Sequence, residues 1–149
     1  FHPRTVSQGY SGHSDWSMIK ELKEISSIPI VGNGDIITPE DAKMMIDETD
    51  CDYVMVGRGA MGNPFLFEQI NDYLKTNSYK EYSFTDRLDS FFDYLHLSTK
   101  YKIKFANIKS QAMRFTKGMN GGSKMRSKIT ISKDIIELEK IMKDAYLQS

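Results

Sequence analysis

Two stretches, Val31-Gly32-Asn33-Gly34 and Val56-Gly57-Arg58-Gly59, decide how this chain is read. Each closes a short apolar run, Ile28-Pro29-Ile30-Val31 in the first case and Tyr53-Val54-Met55-Val56 in the second. An amphipathic segment follows each, which is the pattern of consecutive βα units on a parallel sheet. Pro29 stands near the start of its run, where a missing N–H is tolerated. Thr38-Pro39-Glu40-Asp41 predicts a helix start, with Thr38 as cap, Pro39 at the first helical position and two acids at the positive helix end. Asn63-Pro64 opens a helix to about Leu74 by the same device. Upstream, Phe1 to Thr5 reads as the end of a strand, and Asp15 to Ile25 as a helix with Trp16, Ile19, Leu22 and Ile25 on one face. Glycine-bearing strand ends one βα unit apart are the repeat of a (β/α)8 barrel, and a whole barrel takes roughly 250 residues. Three strands are available. The expected fold class is therefore α/β then all-α: the C-terminal portion of a TIM barrel over residues 1–79, its last three βα units, and a small helical bundle over 80–149. The start at Phe1 rather than Met fits a fragment of a longer chain.

After Tyr79 the apolar spacing changes to that of helices, at Phe84 to about Tyr101, Ile103 to Lys117, Lys124 to about Ile129, and Lys133 to about Leu147 with Ser132 as cap. Gly118, Gly121 and Gly122 mark a helix end and turn. Net charge divides at the same place. Up to Tyr79 there are six basic and twelve acidic residues, and after it fourteen and eight, so −6 is followed by +6; no Asp or Glu occurs between Tyr94 and Lys133. An acid-free basic tract predicts an anionic partner for the second part. No run approaches the roughly 20 apolar residues that span a bilayer, so no membrane partner is expected. One cysteine, Cys51, excludes an intrachain disulfide framework and a cysteine-based zinc cluster, and with only three dispersed histidines no metal site is expected. A cytoplasmic location is the default.

The glycine loops lie at strand ends, where parallel-sheet proteins hold ligands. Gly34, Gly57 and Gly59 would let backbone approach a phosphate, and Arg58 would add a guanidinium. The competing reading is a pair of tight turns; two successive loops, one followed by Arg, favour the phosphate. His2 and Arg4 alternate at the first strand end and would share a side. Spacing alone leaves a ligand pair and a purely structural pair equally open. His13 reads as a polar-loop residue, His96 as structural, and Cys51 as a buried thiol.

His2-Pro3-Arg4-Thr5, Ile28 to Ile36, Val54 to Ala60, Gly62-Asn63-Pro64-Phe65-Leu66-Phe67, Phe115-Thr116-Lys117-Gly118 and Met125-Arg126 resemble, in order and spacing, the tRNA-dihydrouridine synthase family over nearly the whole chain. The resemblance implies a late FMN barrel with a helical tRNA-binding domain, FMN as cofactor and NADPH or NADH as reductant, hydride passing from flavin to a uridine of tRNA. It implies cofactor contacts at His2, Arg4, Asn33, Gly34, Asp35, Gly57 and Arg58, and RNA contacts at Lys117 and Arg126, then Lys109 and Arg114. The family's protonating cysteine and flavin-binding lysine belong to an upstream loop and have no counterpart here, so no catalytic residue is assigned and the chain alone is expected to be inactive. Lys109-Ser110-Gln111 and Met119-Asn120-Gly121-Gly122 depart from the family's basic-basic-histidine triplet and proline turn. Two other readings compete: a non-catalytic RNA-binding module, and an FMN barrel oxidoreductase acting on a small molecule, against which the basic tract argues. Strands left without neighbours would make the chain self-associate.

Overall fold

The computed structural model describes residues 1–146. They fold as two compact units, Phe1–Ala60 with Phe65–Lys80, and Met61–Pro64 with the chain from Glu81 onward. In chain order the elements are α1 (Ser17–Ile25), β1 (Val31–Asn33), α2 (Pro39–Thr49), β2 (Tyr53–Met55), a 3-10 turn at Arg58–Ala60, α3 (Leu66–Thr76), α4 (Phe84–Lys100), α5 (Phe105–Phe115), α6 (Gly122–Ile131) and α7 (Ile135–Tyr146).

The partial TIM barrel read from the sequence is not what the chain forms. The described residues contain seven helices and one open, two-stranded parallel sheet, with Val31 beside Tyr53 and Asn33 beside Met55. The predicted first strand fails because only Phe1 reaches the sheet: its ammonium donates to Val31 O, and its carbonyl accepts Asn33 N–H at 3.0 Å. Pro3 then turns the chain, and Arg4 N–H bonds back to His2 O at 3.0 Å. The other two runs do pair, but they are not buried on both faces. Tyr53 and Met55 are 62% and 59% exposed, and Ile28 is 69% exposed. Only the alternate positions face apolar neighbours, since the helices cover one side of the sheet. There, Gly32 is needed: a Cβ would lie 2.7 Å from Met45 Sδ and 3.1 Å from Cys51 Sγ.

The core of the first unit is Ile19, Ile30, Ile36, Ala42, Met45, Cys51, Leu66 and Ile70. Ile25, predicted on the inner face of α1, is exposed. α2 starts as the sequence indicates, with Thr38 Oγ1 accepting Asp41 N–H and the Asp41 carboxylate accepting Thr38 N–H, a reciprocal cap. Asp52 fixes the approach to β1 by accepting Ile30 N–H at 2.7 Å and pairing with Lys23. α3 begins at Leu66, two residues beyond Pro64, and no side chain caps it.

The second unit packs Leu88, Phe91, Leu95, Ile108, Ala112, Phe115, Met125, Ile129, Leu138, Met142 and Ala145 into one apolar core. Phe91 and Phe115 meet edge to face at 5.5 Å, while Tyr101 stands 67% exposed. Ser83 and Asp86 cap α4 reciprocally. Ser132, expected to cap the last helix, instead closes α6 by donating to Ile129 O. Asp134 takes the capping role, accepting Glu137 N–H at 2.9 Å. The final residue of that predicted helix, Leu147, lies outside the described residues.

Candidate functional site

In the first unit, a carboxylate organises the predicted cofactor residues. Asp35 sits in the left-handed region, φ 58°, just past β1 and Gly34. Its Oδ2 accepts Ser14 N–H at 2.7 Å and an Arg4 N–H, and its Oδ1 accepts from Arg58 Nη2 at 3.2 Å. Burial alone would raise the Asp35 pKa. The Ser14 hydrogen bond, the charge and hydrogen bond of Arg4, and the charge of Arg58 outweigh it and leave the carboxyl below its ordinary value.

The two arginines differ in what they have left to offer. The Arg4 side chain is 3% exposed and also donates to Gly12 O at 2.8 Å, with Nε and Nη1 buried and unpartnered. The Arg58 side chain is 48% exposed and stacks its guanidinium 4.4 Å from the centre of the Tyr10 ring. His2 is exposed, with Nδ1 3.1 Å from Asn33 O, and Asn33 Nδ2 donates to Met55 O at 2.6 Å, tying the ends of β1 and β2 together.

The glycines separate in the same way. At Gly34, φ 134°, a Cβ would lie 2.2 Å from Ser14 Oγ, and at Gly59 it would lie 2.3 Å from Ile36 O, so the fold itself requires both. At Gly57 a Cβ would meet nothing within 4 Å. The absence of a side chain there leaves open space beside the most accessible cation of the cluster. Ser14 and Tyr10 were not singled out in the sequence, and Trp16 was read only as part of the apolar face of α1. Trp16 Nε1 donates to Gly34 O at 3.1 Å, and all three come from the loop and helix start that precede β1 in the chain. A polar stretch such as Gly12-His13-Ser14 carries no local signal of that role.

In the second unit, Arg114 and Lys117 are exposed, whereas Lys109 and Arg126 are half-buried. Lys109 Nζ donates to Thr130 O and Ser132 O, at the negative end of α6. Arg126 Nη1 donates to Thr116 O at 3.1 Å. Arg87, which the sequence reading passed over, donates to Gly62 O, Phe115 O and Lys117 O at 3.2 to 3.3 Å. Burial lowers its pKa from the ordinary arginine value. Among the described residues there is no group of three potential metal-ligating side chains, and no helix long and apolar enough to cross a membrane.

The model of the dihydrouridine synthase family matches residues 1–149. The chain belongs to the dihydrouridine synthase family. It is 35% identical over 147 residues to a probable tRNA-dihydrouridine synthase of Aquifex aeolicus, covering 97% of this chain and 45% of that protein. A probable tRNA-dihydrouridine synthase of Treponema pallidum is 32% identical over 151 residues, covering 97% and 44%. Over 77 residues, 52% of the chain, it is 44% identical to tRNA-dihydrouridine synthase B of Shewanella oneidensis. The chain thus spans a little under half the length of the first two relatives. Membership stands on the whole chain, but the barrel that the resemblance implied is not what the described residues form: they hold one two-stranded sheet among seven helices.

Proposed function

We propose that this chain serves tRNA dihydrouridine synthesis by holding a flavin phosphate in its first unit and the tRNA backbone in its second. The observation that carries the first half is the Arg58–Gly57 pair: a half-exposed guanidinium, anchored by Asp35 and Tyr10, next to a glycine whose missing side chain no packing demands. That donor set suits the terminal phosphate of FMN. Asp35 and Arg4 set the position of Arg58, while His2, Asn33 and Gly34 shape the neighbouring loop. FMN would supply hydride transfer, with NADPH or NADH as the electron source. This chain's own contribution is binding and orientation, because its single thiol, Cys51, is 4% exposed beneath the sheet and cannot deliver a proton to a substrate.

The second half rests on charge. Lys100, Lys102, Lys104, Arg114, Lys117, Lys124, Lys128 and Lys133 are exposed in a tract without one acid, whereas solvated faces normally mix both signs. Lys117 and Arg114 are the foremost phosphate contacts; Lys109 and Arg126 supply charge while also tying backbone carbonyls.

Two measurements test these halves. Riboflavin should bind this chain more weakly than FMN, and Arg58→Ala should remove the difference; equal affinity for both ligands in the parent refutes the phosphate site. Binding of an unmodified tRNA transcript should weaken with salt, and replacing Lys117 and Arg114 by alanine should lower the log–log slope by roughly 0.7 to 0.9 per lost contact. Incubation of the chain with FMN, reduced nicotinamide and tRNA should yield no dihydrouridine. The two-stranded sheet in place of a barrel favours a plainer reading, an RNA-binding module without flavin, which the riboflavin comparison separates.

A further inference from the structure

The turn that carries Lys117 is held by two half-buried guanidinium groups that donate to its backbone carbonyls. α5 ends at Phe115; Thr116 N–H closes its last turn on Ala112 O, Lys117 N–H bonds Arg114 O, and the carbonyls beyond are taken up by side chains. Phe115 O and Lys117 O accept from Arg87, and Thr116 O, in a fully buried residue, accepts from Arg126. Three successive carbonyls are therefore occupied by guanidinium donors, while the Lys117 side chain remains exposed. Arg87 Nε also donates to Gly62 O. Gly62, φ 73°, lies so close that a Cβ would be 2.5 Å from the carbonyl carbon of Arg114 and 2.6 Å from Phe115 N. One planar fork thus ties the Met61–Pro64 loop to the end of α5 and to the turn beyond it. Lysine cannot copy that geometry, because an ammonium on a flexible stem is a point donor.

We propose that Arg87 is a positioning residue for RNA binding: its guanidinium sets the conformation of the Phe115–Gly118 turn and so places Lys117 for a phosphate, without contacting the RNA. This rests on the reading of the second unit as the tRNA-binding part. The role is a different use of positive charge from that of the exposed tract. Arg87 spends its donors on backbone oxygens, and Lys117 keeps its own for the partner.

The test is a double-mutant cycle in the full 149-residue chain, with an unmodified tRNA transcript as probe and fluorescence anisotropy read over a salt series. Arg87→Lys keeps the charge, so a direct electrostatic role predicts parental binding. Positioning predicts instead that Arg87→Lys flattens the salt slope as much as Lys117→Ala does, roughly 0.7 to 0.9, and that the two together do no more than either alone. A parental slope in Arg87→Lys overturns the proposal, as do additive effects in the double variant. If Arg87→Lys loses its helical circular dichroism, Gly118→Ala reads the same turn: φ is 80° there and a Cβ meets nothing within 4 Å, so only the turn conformation is strained. Parental RNA binding by Gly118→Ala would then overturn the proposal. A parent chain that binds no tRNA at low salt defeats the RNA reading and this inference together. A Lys117→Ala variant with parental binding, in a chain that does bind, defeats this inference alone.

Discussion

Asp35 is where the chemistry of single residues in the first unit converges. Its carboxylate holds one buried and one half-exposed arginine and the loop amide of Ser14. Since its folded pKa lies below the unfolded one, about 3.9, its stabilisation is complete above that value and is lost as pH falls through the folded value. Asp52, lowered by the hydrogen bonds of Lys23 and Ile30, acts in the same direction. Asparagine tolerates a left-handed φ, so Asp35→Asn isolates the charge. The expected cost at neutral pH is about 3 kcal/mol, because Arg4 is left buried without its counter-charge. Thermal melts between pH 7 and pH 3 should show a smaller acid-side loss for the variant than for the parent; parallel curves would count against the assignment. The glycines give a second contrast. Gly59→Ala should destabilise the first unit, since its Cβ would press on Ile36 O, whereas Gly57→Ala should leave stability within about 0.5 kcal/mol and weaken FMN binding. Urea titration with flavin fluorescence reads both. That the two glycine loops follow the two paired strands was legible in the sequence, because each ends a short apolar run. Which glycine packing requires was not, since that depends on Ser14 and Ile36, residues without a pattern of their own.

At the scale of elements, the helices were the readable part because their determinants are local. Thr38 and Asp41 announce α2 within four residues, and the 3.6-residue spacing of Leu88, Phe91 and Leu95 fixes the inner face of α4. The errors fall where two signals compete. Ser132 and Asp134 are both acceptable caps, and it is Asp134 that accepts Glu137 N–H while the Ser132 hydroxyl donates back to Ile129 O. Asp134→Ala should therefore cost about 1 kcal/mol in urea-induced unfolding, and Ser132→Ala should not reproduce it through loss of a helix start; a melting shift confined to Ser132→Ala would reverse the assignment. Strands were read less well. Apolar runs at Ile28–Val31 and Tyr53–Val56 look like strands buried on both faces, yet burial is a property of neighbours, and the run itself cannot say how many neighbours it has. The barrel was inferred from the repeat of units, whereas barrel closure depends on strand number and stagger, which no local motif records. The turn at Pro3, closed by Arg4 N–H on His2 O, takes one of the three expected strands out of the ladder after Phe1.

For the molecule as a whole, the two-stranded sheet leaves an apolar face and an unpaired edge in the same unit. Val31, Tyr53 and Met55 lie on one side of the sheet, each at least 40% exposed. β1 has Phe1 along its outer side, whereas β2 pairs only with β1 among the described residues. A parallel edge of this kind offers backbone N–H and C=O groups to any strand that approaches, and an apolar face beside it adds the hydrophobic drive. The first unit is net acidic, but on this face the charged side chains that usually guard an edge are missing from the paired positions Val31, Tyr53, Asn33 and Met55. Concentration-dependent self-association of the chain is the expected result, with sedimentation-velocity mass rising as protein concentration rises. Lysine is the residue that natural edges use to block such pairing. Tyr53→Lys with Met55→Lys should therefore return the chain to a single small species without unfolding it, since both side chains are already more than half exposed and support little of the core. Added salt separates the forces involved: association through apolar surface persists or strengthens at high salt, whereas pairing between the acidic first unit and the basic second unit of another copy weakens as charges are screened. A parent chain that stays at one mass over a wide concentration range would show that neither the face nor the edge is adhesive, and association that survives both lysines would place the contact elsewhere.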